Sequence, residues 1–391
     1  MVEMDFTIWI IFMIGSMFFY IFFAPQLMGL QAWRGIGQLR KSVAELDAFA
    51  KESRRLALKA ITKHGKPKRD VAKEFDNFLD FFAIEPVSED PSGVLGRLEL
   101  VLDVRKKRFE RAINRFAPNA DKETAANLEM AMEGAMANHM LYRLMRHFTL
   151  LADKTKSIQL VMIAQMNIPF VKTFAKAFAE ATKTFTEGKA IGDGVGALTA
   201  ARFIGNAKCY EPIEDTVYAE IKFERRKLFI VKAKGPGGRV GKPGELIAWL
   251  AKKKKISRVI MIDAAGKLEG ETSGAVIEGV GAAIGGPPTE KYKIEEIAVK
   301  NKIPVDAIVI KESFAEAIKP LNKRLVRGVD VAVEKVKNAI RERTKSGDTV
   351  IIAGIGNTIG IGQVLRDIPK SFPSVPEGKK EIESTFLPMR A

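Results

Sequence analysis

Apolar residues recur along this chain in three different rhythms. Residues 6–30 (FTIWIIFMIGSMFFYIFFAPQLMGL) carry no charge, and an unbroken apolar run of that length spans the roughly 30 Å hydrocarbon layer of a bilayer. From residue 31 to about 205 the spacing is helical. Breaks are predicted at 65–67, 85–93 and 117–119, where Pro and Gly end helices for steric reasons. After 205, short β-rich runs alternate with helical ones: 227–233 then 245–253, 258–263 then 293–301, 307–311 then 329–344, and finally 349–353. A preceding run, 216–223, adds an antiparallel edge. Such alternation predicts an α/β fold: one N-terminal transmembrane helix, an all-helical scaffold region, then a mostly parallel sheet with helices on both faces. The divisions expected are an anchor at 1–33, a helical region at 34–205, an α/β domain at 206–370 and a tail at 371–391.

The first run reads as an anchor and not as a cleaved signal peptide. Glu3 and Asp5 precede it, and no small-residue cleavage site follows. Trp9, Tyr20 and Trp33 suit the interfaces, and Arg34, Arg40 and Lys41 come after the span while no Lys or Arg precedes it. The positive-inside rule then gives a single pass in the cell membrane, N-terminus outside and the rest cytoplasmic, with the lipid bilayer as a partner. A second apolar segment, 158–171, is about fourteen residues long and contains Gln165, Asn167 and Pro169, so it is expected as a buried helix and not as a span. Residues 39–61 mix charge and apolar positions at helical spacing, as a bundle partner would.

Composition adds limits. With 391 residues, 47% of them hydrophobic, the chain can bury a full core. A net charge of +16 is spread over the whole chain among abundant Glu. It suits an anionic neighbour, a lipid surface, nucleic acid or a ribosome, and equally a solvated charged surface. A single cysteine, Cys209, excludes an intramolecular disulfide. The three histidines all precede residue 205, so no Ser/His/Asp triad can be assembled in the α/β half. His139 and His147 lack a nearby carboxylate and read as core or surface residues.

Chemistry is expected where the strands end, because ligands of open α/β sheets sit at the carboxyl ends. Gly235, Gly237 and Gly238 follow the first parallel strand, Asp263 ends the second, Gly285 and Gly286 lie in a long glycine-rich connection, and Gly354, Gly356, Asn357 and Thr358 close the last strand. Glycine lets backbone approach a ligand, and free N–H groups make an anion nest, so a small anionic ligand, a nucleotide or phosphate compound, is one expectation. The same glycines serve tight turns, and neither a Walker nor a dinucleotide fingerprint is present. Asp263, after VIMI and ahead of Glu269 and Glu271, has the position of a ribose, metal or acid–base group. Asp193, in GDGVG before a helix, is a cap or a ligand. Asp193 and Asp263 together are the candidate ligands of a divalent metal.

Several phrases, FFAIEPVSEDPSGV, NHMLYRLMRHF, AIGDGVGALTAARF, KAKGPGGRVGKPGE, IDAAGKLEGETSG and GIGNTIGIG, resemble an archaeal family of membrane-anchored proteins known as domain of unknown function 1512. That resemblance implies a membrane protein and carries no activity. A second resemblance is to hydrogenase-maturation and spore-germination endopeptidases, which have a Gly-x-Gly-Asn strand end, an Asp-Gly-x-Gly loop opening a helix and an Asp-Ala strand end. Here Gly354–Asn357, Asp193–Gly196 and Asp263-Ala264 are similar pieces. In those enzymes the Gly-x-Gly-Asn strand comes first, whereas here it comes last, so the resemblance implies a circular permutation and a metal-dependent hydrolase or peptidase. A non-enzymatic membrane scaffold recruiting a partner or a ribosome is the third reading.

Overall fold

The structure is a computed structural model and describes residues 6–83, 93–286 and 288–374. The expected break at 85–93 and the tail at 371–391 therefore fall mostly outside the described residues. Five helices come first: α1 (Phe6–Ala60), α2 (Ala72–Leu79), α3 (Val94–Phe116), α4 (Lys122–Thr155) and α5 (Ile158–Thr186). The chain divides into two compact units, one of residues 1–52 and 137–176, the other of 53–136 and 177–391.

In the first unit Ile36, Leu39 and Leu46 of α1 repeat at helical spacing and meet Met145 and Ala152 of α4 and Val161, Ala164 and Ile168 of α5. Residues 39–52 are thus the bundle partner that their pattern predicts. The expectation for 158–171 holds for one face only: Met162, Ile163 and Met166 are exposed. By length and composition α5 is apolar enough to cross a membrane, and little of its most apolar window is buried. The rhythm that predicts a helix fixes one packed stripe, and here the opposite stripe is apolar too. Phe12–Ile21 of α1 is also apolar and exposed.

In the second unit Phe75, Phe109 and Phe116 pack with Ala57 near the end of α1, with Ile61 just after it, and with Leu128 and Met132 of α4. The sheet follows. Its strands are β1 (Cys209–Ile213), β2 (Thr216–Phe223), β3 (Arg226–Ala233), β4 (Arg258–Gly266), β5 (Val276–Val280), β6 (Val305–Glu312) and β7 (Thr349–Gly354), in the order β1-β2-β3-β7-β4-β6-β5. The pairs β3–β7, β7–β4 and β4–β6 are parallel, while β1–β2, β2–β3 and β5–β6 are antiparallel. The sheet is therefore mixed. Its four central strands are parallel as expected, and antiparallel strands flank them on both sides, two of which (β1 and β5) have mostly exposed side chains and no alternation to announce them.

Helices α6 (Val195–Ile204) and α10 (Lys323–Arg343) cover one face, packing Leu198, Ala201, Val329 and Val336 on Ile230, Ile260, Ile308 and Ile352. Helices α7 (Pro243–Lys253) and α8 (Pro288–Asn301) cover the other, with Leu246, Ile247 and Ile294 on Phe229, Met261 and Ile351. A short helix, α9 (Phe314–Ile318), follows β6. Burial of residues from both parities of β3, β4 and β7 explains why these strands read as continuous apolar runs.

Candidate active site

All four parallel strands deliver their carboxyl ends to one edge, and three acids gather there, Asp263 and Glu312 buried and Asp193 half-buried. Asp263 follows Val259–Ile262 on β4 and is 6% exposed. Its Oδ1 accepts the Ala264 N–H at 2.8 Å, and its Oδ2 accepts the Gly285 N–H at 2.9 Å. Burial, and then the charge of Asp193, push its carboxyl up to about 7. Asp193 sits in the 3-10 turn Gly192–Gly194 that opens α6, and its Oδ2 accepts the Asn357 N–H at 2.7 Å. Burial raises its pKa and the Asn357 N–H opposes that rise. Asp193 does not cap its own helix; it reaches across to the end of β7.

Glu312, the last residue of β6, is a third acid that the sequence reading missed. It is 2% exposed, and neither carboxylate oxygen has a hydrogen-bond partner. Burial, Asp193, Glu316 and Asp263 together hold its pKa well above the ordinary carboxylate range. An ionised carboxylate without partners is costly to bury, so this setting favours the protonated form of Glu312. The signal was present: AIVIKE ends an apolar strand in an acid, just as VIMID does. Neighbouring Glu316 has a structural role. It completes a capping box with Ser313 at the start of α9 and accepts the Ser273 hydroxyl at 2.6 Å.

The glycine-rich loops do meet, but mainly on one another. A Cβ on Gly354 would overlap the carbonyl oxygen of Gly196, and one on Gly356, where φ is +117°, would overlap that of Asp193. These close approaches let the end of β7 lie against the start of α6. Gly235 touches Ile361 and Thr358, whereas Gly237 and Gly238 lie against Glu123, Ala126 and Met130 of α4. Thr358 is fully buried, with its hydroxyl 3.0 Å from the Gly237 carbonyl oxygen and 3.1 Å from those of Lys234 and Arg239. Gly285 supplies its N–H to Asp263, and Gly286, with φ +83°, turns the chain beside it. Gly235, Gly237, Gly238, Gly354 and Gly356 thus lie against protein, whereas Gly286 faces open space, and the groups at this edge are acids, which disfavour a phosphate.

Among the described residues no three His, Cys, Asp or Glu side chains are grouped so as to hold a metal ion. Asp193 and Asp263 stand as a pair, short of the three protein ligands usual in catalytic zinc sites. What the pair offers is acid–base chemistry: two carboxyls in a desolvated setting, one titrating near neutrality.

Asn357 also lines a cavity of about 270 Å³ bounded by α3, α4 and the loop 238–242. Leu102, Phe109 and Met130 form apolar walls there. Glu129 projects from α4, and burial, then Glu133, push its carboxyl up to about 7 against the opposing pull of Arg239.

Two family models cover most of the chain: the protein of unknown function (DUF1512) N-terminal domain matches residues 8–188, and the domain of unknown function (DUF1512) C-terminal matches residues 191–362. The chain belongs to the DUF1512 family. No curated protein and no solved structure matches it. Asp193, Asp263, Glu312 and Asn357 all fall within the DUF1512 C-terminal domain, whereas Glu129 comes from the DUF1512 N-terminal domain.

Proposed function

We propose that the α/β domain of this DUF1512 chain is a hydrolase that cleaves amide bonds with Asp193 and Asp263 as an acid–base pair. The observation that carries the reading is the pair itself: a buried and a half-buried carboxyl from distant segments, with Asp193 held by the Asn357 N–H and Asp263 raised to about 7. Burial of both carboxyls and the charge of Asp193 acting on Asp263 favour a state in which the pair carries one proton. The ionised member takes a proton from water as the water oxygen attacks the carbonyl carbon. The protonated member gives its proton to the departing nitrogen as the C–N bond breaks, which restores a singly protonated pair. Burial pushes Glu312 toward its neutral form, which withholds a further negative charge from the water being activated.

The likeness to hydrogenase-maturation and spore-germination endopeptidases supports amide-bond cleavage at this edge, while the metal dependence that the likeness implies is the alternative that the chelator decides. A permuted chain must bring its last strand to the middle of the sheet beside the first helix. Here β7 lies between β3 and β4, and its Asn357 bonds Asp193 at the start of α6. Residues 6–30 tether the domain to the membrane, with the hydrolase on the cytoplasmic side.

The test is mass-spectrometric profiling of a proteome-derived peptide mixture incubated with the full chain in nanodiscs, with and without a chelator. Wild type is expected to cut, Asp193→Asn and Asp263→Asn to lose at least a hundredfold in rate, and the chelator to change nothing. Equal cutting by the variants, or no cutting by any form, overturns the reading. Inhibition by the chelator replaces the acid–base pair with a metal.

A further inference from the structure

The cavity beside Asn357 has a charge balance that selects its ligand. Eight acidic side chains line it against four basic ones. Each of the four basic groups already faces a lining acid: Arg105 meets Glu133 at 2.6 Å, Lys106 meets Asp215 at 3.0 Å, Arg239 meets Asp215 at 3.3 Å, and Lys242 meets Asp103 at 3.7 Å. No lining cation is left over for an anion. Glu129 has no hydrogen bond or ion pair among the described residues, and it borders the same space as the apolar side chains of Leu102, Phe109 and Met130. An apolar passage with one unpaired carboxylate suits an aliphatic stem carrying a positive head.

We propose that this cavity binds an alkylammonium or guanidinium group, its stem along Leu102, Phe109 and Met130 and its charge on Glu129. Asn357 joins the cavity to the acid pair, since it lines the one and its N–H holds Asp193 of the other. The cavity is then the place for a lysine or arginine side chain next to the bond to be cut. That role rests on the hydrolase reading, but the binding does not. A free polyamine carries the same chemistry.

Calorimetric titration of full-length Asp263→Asn protein in nanodiscs separates these sources, because the substitution stops turnover and leaves the cavity lining untouched. The probes are acetyl-Ala-Lys-Ala-amide, the same peptide with norleucine for lysine, and spermidine. The lysine peptide is expected to bind at least tenfold more tightly than the norleucine peptide, and Glu129→Gln to erase that preference without lowering the melting temperature. Tight spermidine binding with no peptide binding keeps the cation site and assigns it to polyamines. Should Glu129→Gln fail to fold, Leu102→Trp narrows the cavity from another helix and is expected to weaken the lysine peptide by a similar factor. Equal affinity for lysine and norleucine peptides without spermidine binding, or a preference that survives Glu129→Gln, overturns the proposal. If the peptide-profiling test shows no cleavage while the lysine preference stands, only the hydrolase reading fails.

Discussion

Replacing Asp263 with Asn removes a titration while preserving the side chain's size. In the folded chain this carboxyl titrates at about 7, against an ordinary value of 3.8. Because the folded value is the higher one, the folded state holds an extra proton between those limits. Stability is therefore undiminished by this group below pH 3.8 and declines as pH rises, until the folded carboxyl ionises near 7. Integrated from those two values, the cost of keeping Asp263 buried is about 2 kcal/mol at pH 5 and about 4 kcal/mol at pH 8. Asn carries one acceptor oxygen, so one of the N–H bonds from Ala264 and Gly285 is lost, at about 1–2 kcal/mol whatever the pH. The Asp263→Asn variant should consequently match wild type near pH 5 and exceed it by about 2 kcal/mol at pH 8, a rise of roughly 4–8 °C in melting temperature for a domain of this size. Thermal melts of the two proteins at both pH values provide the measurement. A variant destabilised equally at pH 5 and pH 8 would mean that Asp263 ionises normally, and the acid–base pair would lose its physical basis.

Three further outcomes follow from the same edge of the sheet. Gly356→Ala places a Cβ against the Asp193 carbonyl at φ +117°, so a loss of at least about 2 kcal/mol is expected, and an unchanged melt would show that the loop sits elsewhere. Thr358→Val leaves the carbonyls of Lys234, Gly237 and Arg239 without its hydroxyl in a buried setting, costing about 1–3 kcal/mol, read as a lower denaturant midpoint with an unchanged slope. Burial raises the Glu312 carboxyl, so Glu312→Gln, which keeps the size and removes the ionisable group, should lower stability at pH 7 by less than about 1 kcal/mol. A larger loss at that pH would mean that Glu312 is ionised and paired.

Much of this arrangement was legible in the sequence because burial on both faces writes central strands as apolar runs. VIVI-type segments located β3, β4, β6 and β7, and an acid closing such a run marked Asp263. The outer strands β1 and β5 escaped because neither carries a buried stripe. Glycine misled in a different way. Its spacing signals that backbone comes close to something, and cannot say whether that something is a ligand or another loop; at Gly354 and Gly356 it is the start of α6. Glu312 was missed because Lys311 interrupts the apolar run before the acid, whereas VIMI runs straight into Asp263. Glu129 lies in the middle of a helix, and only tertiary packing turns it toward a cavity.

The last strand of the sequence holds the middle of the sheet, and that ordering has a consequence in time. While the chain is being synthesised, β3 and β4 have no shared neighbour, so the sheet remains in two pieces until residues 349–354 emerge to lie between them. The Asn357–Asp193 hydrogen bond spans 164 residues and is among the last contacts that can form. A product truncated before β7 would keep Asp263 and Glu312 in register through the β4–β6 pairing but would lack Asn357 to hold Asp193. The contact that ties Asp193 to the sheet is thus confined to chains that have been translated through their final strand.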